Sequence, residues 1–264
     1  MFGFREAAQQ SKYGLVVCLS VASSILVWWV IGASGSLPEA YFPNPITVVT
    51  TAIHMFRDQG FAVDVAASAA RIGVAFAISA ILAIPLGLLM SSFKIAEGLL
   101  EPVIDFVRYV PVPALLPIFV LLSGIGEESK FLVLFFGTFF QLVLLIKDDA
   151  DQMPGAYFDV GRTLGASTFA LIRDLLVPYL LPQMYDRLRV TLGWCWTYLV
   201  IAELIAVDRG MGRIIKEAQR FQAADRLFVC FIVLGMIGFL TDYSAKVIYF
   251  RLFPYASRTP PTRN

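Results

Sequence analysis

Charge is scarce in this chain. Only 16% of its 264 residues are Asp, Glu, Lys or Arg, whereas a soluble domain carries roughly a quarter. With 58% hydrophobic residues and a mean hydropathy of +0.73, that deficit argues against an ordinary soluble fold and for a membrane protein. Histidine is rarer still. His54 stands alone, which argues against Ser/His/Asp catalysis and multi-histidine metal sites. The cysteines, Cys18, Cys195 and Cys230, are odd in number and lie inside apolar runs, so neither a disulfide framework nor a thiolate metal site is expected. No G-x-x-x-x-G-K-[ST] phosphate loop occurs, so ATP is not bound by that route. Internal repeats and low-complexity tracts are also missing. The sequence therefore predicts no catalytic residue, no metal and no cofactor on this chain.

What is present is long apolar runs. A helix that crosses a bilayer needs about 20 mostly apolar residues. Six segments approach or exceed that length: 13–31, 65–90, 103–122, 131–146, 183–206 and 227–250. The expected fold is all-α and integral to the membrane. One transmembrane domain covers 1–250, interrupted by a cytoplasmic loop at 147–182 and followed by a cytoplasmic tail at 251–264. The first run follows Arg5 and Lys12 as a signal peptide would, but it exceeds a secretory core of about 7–15 residues and precedes further spans, so it reads as a retained helix. Trp28 and Trp29 sit where an interfacial belt places them. Pro111, Pro113 and Pro117 predict a kinked third span inside the bundle. The last eight residues, SRTPPTRN, are too polar and Pro-rich to pack, and disorder is expected there.

Six spans put both termini on one side. With the N-terminus inside, Arg5, Lys12, Lys94, Lys147, Arg162, Arg173, Arg187, Arg189, Arg251, Arg258 and Arg263 are cytoplasmic. Arg57, Lys130, Arg209, Arg213, Lys216, Arg220 and Arg226 are then outside, so the balance favours that orientation. After Pro45, the residues Ile46, Val49, Ile53 and Phe56 recur at helical spacing, which predicts a short amphipathic helix on the membrane surface.

Two charges lie within the spans. Arg71 is about two turns into the second, and Glu203 about one turn from the outer end of the fifth. A lone charge in hydrocarbon costs several kcal/mol, so the two are expected to pair. The pair is either a structural fastener or an outer gate, with contact between Arg71 and an anion as a variant of the second. In the last outer loop, Arg209, Arg213, Lys216 and Arg220 form a basic stripe opposite Met211, Ile214, Ala218 and Phe221. That stripe either meets lipid phosphate or makes an electropositive vestibule.

The segment Asp159–Pro182 is a charged, helix-prone island between apolar runs. Arg162, Leu164, Gly165, Phe169 and Ile172 fit short helices separated at Gly165-Ala166-Ser167, where a backbone turn is easy. A loop of this length calls for a function or a partner.

The order of these features resembles the nitrate/sulfonate/taurine/bicarbonate family of ABC importer permeases, over about Phe42–Pro254. The resemblance rests on Phe42-Pro43-Asn44-Pro45, Ser68-Ala69-Ala70-Arg71, Pro85-Leu86-Gly87, Pro111-Val112-Pro113-Ala114-Leu115-Leu116-Pro117 and Gly124-Ile125-Gly126-Glu127. Leu164-Gly165-Ala166-Ser167, Ala202-Glu203-Leu204 and Gly210-Met211-Gly212 complete it. Gly165, thirteen positions before Pro178, sits as in the cytoplasmic "EAA" loop of such permeases. The acidic-Ala-Ala opening of that loop is here Asp159-Val160-Gly161, which keeps the carboxylate and loses the alanines.

The resemblance implies a type I importer fold in the bacterial inner membrane. Its expected partners are a second copy of the permease, two ATP-binding cassette ATPase subunits that hold ATP and Mg, a periplasmic or lipid-anchored solute-binding protein, and lipid, with no nucleic acid. Coupling to the ATPase would fall to Asp159, Arg162, Leu164, Gly165, Ala166, Ser167, Phe169, Arg173 and Pro178. In importers of this fold the fifth span lines the path, so Trp194, Trp196 and Thr197 join Arg71 and Glu203 as path or gate candidates, with plain packing as the alternative for the tryptophans. The stripe of Arg209, Arg213, Lys216 and Arg220 becomes a candidate dock for the binding protein. Nitrate, a sulfonate such as taurine, bicarbonate or an organic acid would suit as solute. The rival is an ion-coupled transporter acting alone, which predicts inverted repeats that this sequence does not show.

Overall fold

The computed structural model describes residues 3–35, 38–204 and 209–256. Among them every regular element is a helix: α1 (Gly3–Ala33), α2 (Pro45–Asp58), α3 (Phe61–Ser92), α4 (Lys94–Arg108), α5 (Val112–Ser123), α6 (Glu127–Asp151), α7 (Gly155–Thr163), α8 (Thr168–Leu171), a π-helical turn (Ile172–Leu176), α9 (Val177–Glu203), α10 (Met211–Arg220) and α11 (Ala224–Leu252). The chain divides into two compact units, Met1–Ala62 with Ile214–Val233, and Val63–Arg213 with Leu234–Asn264.

In the first unit, α1 leaves most of its apolar side chains between Leu15 and Ile31 exposed, as a helix surrounded by lipid does. It is pinned near its end, where Trp28 Nε1 donates to the Pro43 carbonyl at 3.0 Å and the indole stacks on Phe228. Asn44 starts α2 by accepting from the Ile46 N–H, and Pro45 takes the first helical position, where its missing N–H costs nothing. The helix buries Val48 and Met55 and turns Ile46, Val49, Ile53 and Phe56 outward. An exposed apolar stripe of that kind suits a helix lying on a bilayer.

The second unit is built on α6. Val133, Leu134, Leu142, Val143 and Ile146 are buried in it, as are Leu180 and Leu199 of α9 and Ala83 and Met90 of α3. Lipid tails give helices no hydrophobic reason to associate, so close backbone approach matters more. Two glycines supply it. A Cβ on Gly87 would lie 2.8 Å from the Val143 carbonyl, and one on Gly137 would lie 2.6 Å from the Tyr198 ring. Gly87→Val is therefore expected to force α3 from α6 and cost about 1–3 kcal/mol, read as a lower Tm of the detergent-purified chain.

Among the described residues, four helices can cross a membrane by length and apolarity, over Gly14–Ala33, Phe61–Ser92, Glu127–Asp151 and Ala224–Leu252. The expected single kinked helix at 103–122 is instead broken into α4 and α5, which meet at 100°. Pro111 marks the break: it has no N–H to give, disfavours the helical region for the residue before it, and is itself extended at φ −61° and ψ 117°. The pair can count as a fifth span. α9 is long enough for a sixth, but Asp186, Arg187 and Arg189 sit in its first half. Its neighbour α6 is longer than the expected 131–146. The expected loop at 147–182 is mostly helical, comprising the end of α6, α7, α8, the π-turn and the start of α9. Residues 205–206 of the fifth expected span and the tail at 257–264 lie outside the described residues.

Candidate functional site

Three features of the second unit carry chemistry. The first is the turn between α7 and α8. Gly165 has φ +81°, and its N–H donates to Arg162 O while the Ala166 N–H donates to Gly161 O at 3.0 Å. This is the Schellman ending of a helix, which needs a residue free to adopt positive φ. Ser167 then opens α8 by accepting from the Ala170 N–H. Gly161 lies against the Leu171 side chain, so the loss of an alanine at that position has a packing cause. The π-turn continues directly into α9, where Pro178 offers no N–H to the ladder, and the wider turn absorbs that gap.

The outer side of this helix pair is apolar and unprotected. Leu164 is 82% exposed and Phe169 70%. Asp159, Arg162, Ser167 and Pro178 are exposed around them, and Ala166 is half-buried. The Arg173 guanidinium lies 5.8 Å from the centre of the Phe169 ring and bonds Asp174 at 2.6 Å. That bond holds the Asp174 carboxyl below its ordinary range, but so exposed a pair contributes little stability. Leu171, Leu176, Ala150 and Met153 are buried beneath and anchor the pair to the end of α6.

The second feature is a buried ionic network at the Glu127 end of α6. Glu203 is fully buried and accepts from Arg71 Nη1 at 2.6 Å, Ser68 Oγ at 2.8 Å and the Gly212 N–H at 2.8 Å. Arg71 also grips Glu127 with Nε and Nη2, at 2.5 and 2.8 Å, and Lys130 reaches the same carboxylate at 2.8 Å. Asp64, one turn before Ser68 on α3, accepts from the Gly210 N–H and from Arg213. Three cations (Arg71, Lys130, Arg213) thus meet three carboxylates (Asp64, Glu127, Glu203), so no buried charge is left uncompensated. Two glycines admit the backbone to this cluster. Gly210 has φ +130°, and a Cβ there would lie 2.6 Å from Arg71 Nη1; a Cβ on Gly212 would collide with that of Glu203.

The expected pair of Arg71 and Glu203 is therefore in contact. The structure adds Asp64, Glu127 and Lys130 to that pair as partners in the same network. The spacing Asp64, Ser68, Arg71, which puts three polar groups on one face of an apolar helix, was the available signal. Arg213 leaves the expected stripe, because Asp64 draws it inward at 3.0 Å, whereas Arg209, Lys216 and Arg220 are exposed. On the opposite face Met211, Ile214 and Ala218 are buried, but Phe221 lies past the end of α10 and is exposed, and Ile215 takes its place.

The third feature is a cavity of about 350 Å³ at the α4–α5 break, bounded by the middle of α6 and by α9. Trp194 and Thr197 line it. Trp196 points elsewhere, is buried, and packs within reach of Gly238.

A family model described as binding-protein-dependent transport system inner membrane component matches residues 77–254. The taurine transport system permease protein TauC of Escherichia coli (strain K12) is 30% identical over 241 residues, which are 89% of this chain and 88% of TauC. The putative aliphatic sulfonates transport permease protein SsuC of Bacillus subtilis (strain 168) is 28% identical over 252 residues, 95% of this chain and 91% of SsuC. Among solved structures, a bacterial alginate ABC transporter in complex with an alginate pentasaccharide-bound periplasmic protein matches with a TM-score of 0.63 and 11% identity, over 92% of this chain and 97% of that one.

Proposed function

The chain belongs to the family of binding-protein-dependent transport system inner membrane components, and from that premise we propose that it forms one half of the path of an ATP-driven importer for a small oxyanion. Its fold is that of a type I importer permease. Two copies would enclose the path, two ATPase subunits would drive it, and a solute-binding protein would deliver the cargo. α9 supplies the sixth crossing, and both termini face the cytoplasm. The observation that carries this reading is the exposed apolar turn around Gly165. Leu164 and Phe169 project from a helix pair that is rigidly capped at both of its inner ends, and large apolar residues so displayed mark a protein interface. ATP binding on the partner would move that pair as a rigid body and tilt the attached α6 and α9. The Arg71–Glu203–Glu127 network, at the opposite end of α6, would hold the outer side closed. Relatives named for taurine and aliphatic sulfonates favour a sulfonate as cargo.

The test is composition. The purified chain is expected to hydrolyse no ATP, and an ATPase subunit is expected to co-purify with it. ATP turnover by this chain alone contradicts the proposal.

The exposed cations Arg209, Lys216 and Arg220 would steer either the oxyanion or an acidic rim of the binding protein, through a field that reaches about 8–10 Å at physiological salt. Lys216→Glu with Arg220→Glu is expected to lower the uptake rate several-fold at low ionic strength, with the deficit shrinking as salt is added. Uptake equal to wild type at every salt concentration rules the steering role out. Arg213 is left out of the reversal, because breaking its bond to Asp64 would disturb the buried network.

A further inference from the structure

Among the described residues, the cavity at the α4–α5 break is lined by one charged side chain. Arg108, the last residue of α4, lines it together with Gln141 of α6 and Trp194, Thr197 and Tyr198 of α9. The guanidinium is only half engaged. Nη2 bonds Asp105 Oδ1 at 3.0 Å and Tyr109 Oη at 3.1 Å, and the group lies over the Tyr109 ring at 4.8 Å. Nε is buried without a hydrogen-bond partner. Nε is enclosed and out of reach of a solute, whereas Nη1 makes no hydrogen bond among the described residues and is not enclosed, so it is the nitrogen open to an acceptor. The side chain is 27% exposed, so the cavity can reach it. Its partner Asp105 is 42% exposed and does not line the cavity, so another anion can approach the guanidinium from the cavity.

The rest of the lining suits the same guest. Gln141 offers an amide, Thr197 and Tyr198 offer hydroxyls, and the Trp194 indole offers an apolar wall for a short alkyl chain. A volume of about 350 Å³ lies at the lower end of the ~300–1,000 Å³ of small-molecule sites. It is large enough for a compact oxyanion. The cavity also sits at mid-length of α6, between the ionic network at Glu127 and the turn near Asp151, where a solute must pass if it follows this helix.

We propose that Arg108 is the anion-recognising residue of a binding subsite within the permease itself, and that the subsite takes a small sulfonate or similar oxyanion through the guanidinium, the Gln141 amide and the Thr197 hydroxyl. The proposal rests on the importer reading and deepens it: the permease would select its cargo rather than pass whatever the binding protein releases. Asp105 then acts as the internal competitor that holds Arg108 when no oxyanion is bound.

The experiment measures equilibrium binding of labelled ethanesulfonate, with nitrate and bicarbonate as further probes, to the permease–ATPase complex in lipid nanodiscs without binding protein. Arg108→Gln is expected to weaken ethanesulfonate binding at least about tenfold, since a charge-assisted hydrogen bond is lost. Asp105→Asn is expected to tighten it, because the competitor is gone. ATP hydrolysis by both complexes serves as the check on assembly. If Arg108→Gln does not assemble, Gln141→Leu carries the test, with an expected loss of roughly threefold or more. Unchanged binding in Arg108→Gln overturns the subsite. So does a parallel loss in Arg108→Gln and Asp105→Asn, which is what a purely structural ion pair predicts. A wild-type complex that binds none of the three probes also overturns it. If that complex still imports one of them into vesicles when binding protein is added, the importer reading survives alone; if it imports none, both fall.

Discussion

Leu164→Asp and Phe169→Asp are expected to leave the chain inserted and folded, to release the ATPase, and to abolish ATP-driven uptake. Both side chains project from the turn and touch little of their own chain, as their exposure of 82% and 70% shows, so the fold loses little by their replacement, chiefly the contact of Phe169 with Arg173. A carboxylate pressed into an apolar cleft of a partner is another matter. Its desolvation costs several kcal/mol, which weakens association roughly 100-fold or more. Gly165 extends the same test. A Cβ there meets nothing within 4 Å, but φ +81° is a conformation that costs an L-residue about 1–2 kcal/mol. Gly165→Ala should therefore loosen the ATPase modestly, and Gly165→Asp should approach the knob variants. Co-purification of the ATPase, scored beside membrane insertion, separates coupling from folding. A normal complex with full uptake in Phe169→Asp places the dock elsewhere.

The second large effect concerns Arg71 and Glu203, and here the structure sets an order. Arg71→Ala strands Glu203, which is fully buried and keeps, among the described residues, Ser68 and the Gly212 N–H as donors. Breaking one side of a buried pair costs about 3–5 kcal/mol, so this variant is expected to assemble poorly and transport little. Glu203→Gln is milder, because Arg71 retains both bonds to Glu127. In the double variant no buried charge is left alone, so its loss falls short of the sum of the two by roughly 1–3 kcal/mol. Thermal stability of the purified complex supplies the cycle. Strictly additive losses would mean that the contact carries no energy.

Much of this architecture is legible in the sequence because local chemistry decides it. Asn44-Pro45 opens α2, Gly165 and Ser167 mark the α7–α8 turn, and Pro111 marks a disturbance in the third span. The depth of Arg71 and of Glu203, counted at 1.5 Å per residue, is enough to bring the two together. What the sequence hides are partners fixed by tertiary register. Glu127 reads as the end of a loop motif, yet it shares Arg71 with Glu203. Arg213 reads as one member of a surface stripe, yet Asp64, about 150 positions earlier, holds it. The sharpness of the α4–α5 break was hidden for a similar reason: prolines announce a bend, but 100° results from how α5 packs on α6 and α9. Arg108 and Gln141 carry no local signature at all. They become neighbours of one cavity only when that break and α9 are in place.

The central claim is that this chain is a passive path driven by a separate ATPase through the turn at Gly165. Reconstitution tests it most directly. Proteoliposomes containing the permease, its ATPase and the binding protein should accumulate labelled ethanesulfonate or nitrate only when ATP is present on the ATPase side, and should lose that accumulation with Phe169→Asp. Accumulation by the permease alone, driven by an ion gradient without ATPase or ATP, would contradict the account.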